Sequence, residues 1–308
     1  MLISVCIPTH DRREMLLTAL RSVLDQDHSD IEVVVSDNAS VDGSADMVER
    51  LGDPRVKLLR QKRNIGSVAN HNACVEAASG AWILFLHDDD LLQPGGLERV
   101  AALLHESEAC DIVLPGYLQW MLDGNALDNS LRLLNGISPS STLYSREFLL
   151  QTPFETDNLC CDWEILFVAA LQQRRFRIYS FEYLERRYHH GQEGAQVVRE
   201  GLGIVGKGNA VRRLCAQMTT GDWDALCSRI STTWTAGELM EFGRYLRIAD
   251  FQDRFRVLKR YSKRHQKWRW SSKHGVLILC ERLLGPAIMN RILSPWRTWV
   301  QGRNSLRA

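Results

Sequence analysis

Short apolar runs alternate with segments of helical spacing over the first hundred residues. Ile3 to Ile7 reads as a strand ending at Pro8. Residues 12–26 then place Leu16, Leu17, Leu20, Val23 and Leu24 on one helical stripe. Ile31 to Val35 is a second β-branched run, and it ends at Ser36-Asp37-Asn38. A helix over 43–51, a short strand Val56–Leu59, a helix Gly66–Ala78 and an apolar strand over 81–86 follow. Strands alternating with helices at this spacing predict βαβ units and a largely parallel sheet. Beyond residue 100 the pattern weakens. Ile112–Leu114 and Tyr117–Met121 read as strands, 123–141 as a loop, 163–173 as a helix and Phe176–Tyr179 as a strand. From about residue 205 the chain reads as mostly helical, with no internal repeat.

The most informative junction lies behind the 81–86 strand, where Asp88, Asp89 and Asp90 stand in a row. In open α/β sheets, ligands bind outside the carboxyl ends of the strands. Three carboxylates crowded there repel one another unless something positive neutralises them. Mg²⁺ or Mn²⁺ carrying a phosphorylated ligand would do so, because these ions take hard oxygen ligands and share them with phosphates. A solvated acidic turn capping the next helix accounts for the triplet equally well. Three further polar groups occupy equivalent positions. Pro8-Thr9-His10-Asp11-Arg12 follows the first strand, Asp37-Asn38-Ala39-Ser40 follows the second, and Asn64-Ile65-Gly66 precedes the helix that carries Asn70. Each alone reads as a turn or helix cap. Their joint order is far more specific.

That order resembles the family 2 glycosyltransferases, which have a GT-A fold. The resemblance rests on Pro8-Thr9-His10-Asp11-Arg12, on Asp37-Asn38-Ala39-Ser40-Val41-Asp42, on Asn64-Ile65-Gly66 before Ala69-Asn70-His71-Asn72, and on Phe85-Leu86-His87-Asp88-Asp89-Asp90 with Pro94 and Leu97-Glu98. It implies an α/β, three-layer nucleotide-binding fold with a mostly parallel central sheet, followed by a helical C-terminal region. It also implies roles. Asp37 would accept a hydrogen bond from the nucleotide base. Thr9 and Arg12 would line the nucleotide pocket, together with Pro8, Asn38, Asn64, Gly66 and Asn70. Asp88 would face the ribose, Asp89 would ligate Mg²⁺ or Mn²⁺ on the diphosphate, and Asp90 would lie near the donor sugar. Many relatives carry an aspartate where this chain has His87.

A second segment, Cys161-Asp162-Trp163-Glu164-Ile165-Leu166, resembles the family's Glu-Asp-Trp-Glu/Asp-Leu, with Cys161 in place of the glutamate. The resemblance makes Asp162 the general base that deprotonates an acceptor hydroxyl; a first-turn acid favoured by the helix dipole is the plainer reading. Arg186-Arg187-Tyr188-His189-His190 resembles a Tyr-Arg-x-His segment, so Arg187 and His189 are candidate diphosphate contacts. Ser138 to Arg146 resembles the stretch before the base helix that shapes the acceptor pocket, with the Ser and Pro that any loop would contain. The implied activity is inverting transfer of a sugar from a UDP- or dTDP-linked donor to a surface polysaccharide or lipid-linked glycan. A nucleotidylyltransferase is the alternative enzyme, but it would want a Gly-rich, basic phosphate loop after the first strand. A non-catalytic nucleotide-sugar-binding module is the other alternative.

Composition adds a partition. The 308 residues are 45% hydrophobic and 24% charged with a formal net charge of +1, as expected of a soluble globular protein. Residues 251–308, however, hold 14 Lys or Arg and 2 Asp or Glu, against 24 and 35 in the remainder. Phe251, Phe255 and Leu258 share a helical stripe there, with Trp268, Trp270, Trp296 and Trp299 beyond. Such a segment suits an anionic membrane surface through 251–299, or packing on the rest of the chain. No nucleic-acid-binding motif accompanies the charge, so nucleic acid is not an expected partner. With no signal peptide visible, no apolar run of spanning length, and 8 cysteines lacking metal-type spacing, the expected setting is cytoplasmic, peripheral to the inner membrane face. The expected organisation is a catalytic domain over 1–205, with nucleotide-sugar binding in 1–100 and the acceptor side in 101–205, and a basic helical region over 206–308.

Overall fold

The structure is a computed structural model, and it describes residues 1–105, 110–116, 141–158 and 161–187, with residue 213. The chain divides into two compact units, Met1–Gly206 and Lys207–Ala308. All elements described below belong to the first. The readings of Tyr117–Met121, most of the 123–141 loop, His189 and the basic segment 251–299 lie outside the described residues.

The alternation read from the sequence is present. In order come β1 (Ile3–Thr9), α1 (Arg13–Leu24), β2 (Ile31–Asp37), α2 (Ser44–Leu51), β3 (Val56–Arg60), α3 (Ser67–Ala77) and β4 (Trp82–Phe85). Then follow β5 (Asp90–Leu92), α4 (Gly96–His105), β6 (Ile112–Pro115), β7 (Leu143–Ser145), α5 (Arg146–Gln151), α6 (Cys161–Leu171), β8 (Phe176–Tyr179) and β9 (Leu184–Arg186). Seven strands form one sheet in the order β3-β2-β1-β4-β7-β6-β8, and β5 with β9 forms a small second sheet. Strands β1 to β4 run parallel, β6 and β8 are parallel to each other, and β7 is antiparallel to both of its neighbours.

Strand periodicity explains the three layers. Ile3, Val5 and Ile7 point to one face of the sheet, where they join Leu16, Ala19, Leu20 and Val23 of α1, Met47 and Val48 of α2, and Leu97, Val100, Ala101 and Leu104 of α4 in one core. Successive strand residues face opposite sides, so Ser4 and Cys6 turn to the other face. There α3 packs, with the Cys74 thiol on the Val34 carbonyl and Asn70 on Ser36. With helices on both faces, β4 is buried along its whole length, which accounts for its unbroken apolar run.

Three expectations need correction. The helix read as 163–173 begins at Cys161, which places Asp162 and Glu164 in its first turn. The Ser138–Arg146 stretch, loop-like in composition, contains β7 inside the main sheet, with Leu143 and Tyr144 fully buried. Asp90 does not continue a turn: it opens β5 and pairs with Arg186.

Candidate active site

The chain leaves β1 in one direction to build β2 and β3, then returns to place β4 on the other side of β1. This reversal opens a crevice between the carboxyl ends of β1 and β4, the usual position for a ligand in such sheets. Side chains from both ends meet in it. Thr9 Oγ1 donates to Asp88 Oδ2 at 2.7 Å. Arg12 Nη1 lies 2.9 Å from Asp88 Oδ1 and 3.1 Å from Asp89 Oδ2. Both carboxylates are buried. Leaving an ionised carboxylate buried without a partner costs several kcal/mol, roughly, so the Arg12 fork is what makes the pair tenable. Burial still dominates at Asp88 and raises its pKa, against the opposing pull of Arg12 and Thr9.

The ends of β2 and α3 form the adjoining wall. Asp37 is the last residue of β2, in register with Thr9. Its Oδ2 accepts from the Ser40 N–H at 3.1 Å, while Oδ1 is buried with no hydrogen-bond partner. A buried acceptor left unsatisfied costs about 1–3 kcal/mol, which a ligand N–H would recover. Asn38 Nδ2 donates to Asn64 Oδ1, and Asn38 Oδ1 accepts from Ile65 N–H. Gly66, with φ +89° and ψ 155°, turns the chain into α3 through a conformation that side chains strain to adopt. Pro8 sits within β1 opposite Ser36. Asn70 is almost completely buried, and its amide is engaged at both ends by Ser36. It braces α3 against β2.

Two loops of the motifs singled out in the sequence hold this wall in shape. Asp11 accepts from Val41 N–H, and Ser40 Oγ accepts from Asp11 N–H. Asp42 accepts from Arg13 N–H at the start of α1 and from Ser44 at the start of α2. Burial opposes ionisation of Asp42, but the hydrogen bonds from Ser44 and Arg13 outweigh it and lower its pKa. A carboxylate at two helix starts is favoured by both dipoles. The signal was present in the Asp37-to-Asp42 motif but not its role.

Asp90 faces a different set of groups. Its Oδ1 accepts from Arg187 N–H at 3.3 Å, and its Oδ2 lies 4.0 Å from His87 Nδ1. Arg187 directs its guanidinium to the carbonyls of Asp89 at 2.6 Å and Asp88 at 3.2 Å, clamping the aspartate loop from behind. One ligand atom from each of His87, Asp89 and Asp90 falls within 4.8 Å of the others. Two acidic oxygens and an imidazole nitrogen are donors that a divalent ion accepts, so these residues fit Mg²⁺ or Mn²⁺. Partial burial lowers the His87 pKa, with Asp89 opposing and Arg12 assisting.

On the other flank, Asp162 lies half-buried in the first turn of α6. Burial and the nearby Asp162 charge push the Tyr144 pKa well up, so the two side chains sense each other. Glu164, a later acid of the same motif, is buried and accepts from Asn158 Nδ2 at 2.6 Å; it is a structural acid. Rings connect this flank to the aspartates. Tyr144 meets Phe85 at 6.3 Å, Phe85 meets His71 at 5.2 Å, and His71 meets His87 at 5.7 Å between centroids. Phe154 packs on Tyr144, Phe85 and His71, and its backbone is gripped at both polar atoms by Asn72. An open groove of about 810 Å³ between β3 and α3 contains none of the aspartates.

Paired carboxylates and a β2-terminal aspartate at the switch point of a mostly parallel sheet belong to an α/β fold of GT-A type. The sequence profile described as Glycosyl transferase family 2 matches residues 4–172, and the chain belongs to that family. A Campylobacter jejuni relative, the GalNAc(5)-diNAcBac-PP-undecaprenol beta-1,3-glucosyltransferase, is 34% identical over 134 residues, covering 41% of this chain and 43% of its own. The Bacillus subtilis putative teichuronic acid biosynthesis glycosyltransferase TuaG is 29% identical over 145 residues, covering 46% of this chain and 55% of its own. The chain thus spans about half the length of these curated relatives. Among solved structures, TarS 1-349 of S. aureus matches with a TM-score of 0.58 at 19% identity, over 88% of this chain and 94% of that one. At this identity the match speaks for the fold. Among the described residues, no helix is long and apolar enough to cross a membrane.

Proposed function

We propose that this chain is an inverting, metal-dependent glycosyltransferase. It moves a sugar from a UDP- or dTDP-linked donor to a surface-polysaccharide or lipid-linked glycan acceptor. The observation that carries this reading is the crevice between β1 and β4, where Thr9 and Arg12 hold Asp88 and Asp89. Asp37 Oδ1, buried without a partner at the adjoining strand end, is the acceptor for a base N–H. Asp88, fixed by Thr9 and Arg12, orients toward the ribose. Asp89 holds Mg²⁺ or Mn²⁺, and Asp90 lies beside it toward the donor sugar. Bound there, the ion would stabilise charge on the departing diphosphate. Arg187 acts through its grip on the Asp88 and Asp89 carbonyls, and Asn70 through its brace on Ser36.

Asp162 takes the proton of the acceptor hydroxyl as that oxygen attacks the donor carbon from the face opposite the leaving group. Its place in the first turn of α6 sets it near the positive end of the helix dipole. The lipid-linked acceptor draws support from the printed substrate of the Campylobacter relative, and from the 14 basic residues of 251–308, which suit the anionic inner face of a membrane.

A donor panel tests the reading. Purified protein with Mn²⁺ or Mg²⁺ is expected to bind a UDP- or dTDP-sugar and release its nucleoside diphosphate. Absence of both binding and release across UDP-, dTDP- and GDP-sugars overturns it.

A further inference from the structure

The three aspartates are not equivalent, and the inequality reaches His87. Both Asp88 oxygens are engaged within the protein, Oδ2 by Thr9 and Oδ1 by Arg12. Asp88 is therefore poorly placed to add an ion. Asp89 and Asp90 instead share a cluster with the His87 imidazole, and every pair of their ligand atoms lies within 4.8 Å. Donors about 2.1 Å from one ion stand about 3 Å apart when adjacent and about 4.2 Å apart when opposite. At most one of the three pairs can be opposite, so closure by up to about 1.8 Å from the 4.8 Å bound brings the three onto a common ion.

The His87 ring is positioned rather than loose. It meets His71 edge-on, at 5.7 Å and 85°, and His71 Nδ1 is tied to the Ser67 carbonyl at 2.9 Å. The His87 side chain is 31% exposed, so an ion can reach it from solvent. Arg187 holds Asp90 through Oδ1 and leaves Oδ2 on the His87 side.

We propose that His87 is a nitrogen ligand of the divalent ion and that it makes the site select Mn²⁺ over Mg²⁺. The proposal rests on the metal-dependent reading of the same site. Its chemistry is direct. Mg²⁺ demands hard oxygen donors and near-ideal octahedral geometry, and gives up water reluctantly. Mn²⁺ shares the oxygen preference of Mg²⁺ and stands at the weak end of the first-row series, but as a transition ion it is softer than Mg²⁺ and tolerates one imidazole nitrogen among oxygen donors more readily. An acid at this position would add charge and an oxygen donor, favouring Mg²⁺. Histidine removes both advantages.

The test uses the full chain, with UDP present and no acceptor, so that binding is read without turnover. Pulsed electron paramagnetic resonance of bound Mn²⁺ is expected to show coupling to an imidazole ¹⁴N. That coupling is expected to vanish in both His87→Asp and His87→Gln. Competition of Mg²⁺ against Mn²⁺ is expected to show the Mn²⁺ preference falling about tenfold in His87→Asp. The Gln variant, which adds no charge, is expected to weaken Mn²⁺ and keeps the comparison alive if the Asp variant misfolds. Mn²⁺ bound without nitrogen coupling, or coupling that survives both substitutions, overturns the role of His87 and leaves the metal site standing. If neither wild type nor variants bind Mn²⁺ with UDP, the metal-dependent reading fails with it.

Discussion

The wall from β1 to β4, proposed to hold the donor, and the flank from β7 to β9, proposed to take the acceptor, are built differently. On the donor side, each functional residue stands at the end of a parallel strand or at the start of the next helix. Asp11, Ser40 and Asp42 then tie neighbouring loops together. On the other flank the strands Leu143–Ser145 and Leu184–Arg186 are three residues long. Their placement depends on partners far along the chain, such as Asp90 with Arg186. The first construction is a set of longer parallel strands whose ends carry the polar groups, tied across the sheet by Thr9 and Arg12 to Asp88. The second is built on three-residue strands and needs clamps, which Arg187 and Asn72 supply.

The comparison can be broken first at the metal. Asp89→Ala is expected to lower turnover by about a thousandfold or more while the folded state persists, checked by product release and circular dichroism. Next comes the counter-charge. Arg12→Ala leaves two buried carboxylates without their shared partner, and a loss of about 3 kcal/mol in unfolding free energy is expected in denaturant titration. If Arg12→Ala unfolds at the wild-type midpoint, the donor wall is not held by this fork. On the opposite flank, Asn72→Ala removes both bonds to the Phe154 backbone. About 1–3 kcal/mol is expected to be lost, with donor affinity unchanged.

The smallest effect is in pH. The His87 pKa is lowered from 6.5 by burial, so the unfolded chain binds this proton more readily than the folded one. The stability contribution is present above pH 6.5 and is lost as pH falls below it. Stability measured from pH 7.5 down to 5 is expected to fall less steeply in His87→Gln than in wild type. An identical slope would show that this titration does not contribute to stability.

Legibility in the sequence follows the same division. β4 announces itself because a strand covered on both faces is apolar throughout, and β1 and β2 because they are largely so; the ends of all three carry polar motifs of fixed spacing. β7 did not, because Leu143-Tyr144-Ser145 sits among serines and threonine, and only its place between β4 and β6 makes it a strand. β5 escaped notice because Asp90 reads as the third member of an acidic run, not as the first residue of a strand paired 96 positions away. The motif residues themselves were visible, but not their division of labour. Nothing local marks Asn70 as a brace or Asp42 as a double cap. Nor could the spacing reveal that Arg187 would reach backbone carbonyls.

The central claim is that donor binding and proton removal belong to separate walls of one crevice, and Asp162→Asn tests it most directly. Titration with UDP- or dTDP-sugar and Mn²⁺, run beside a turnover assay with acceptor, separates the two. The account expects donor affinity within about twofold of wild type and turnover reduced by about a hundredfold or more. Turnover near the wild-type rate, or donor affinity lost together with turnover, would contradict it.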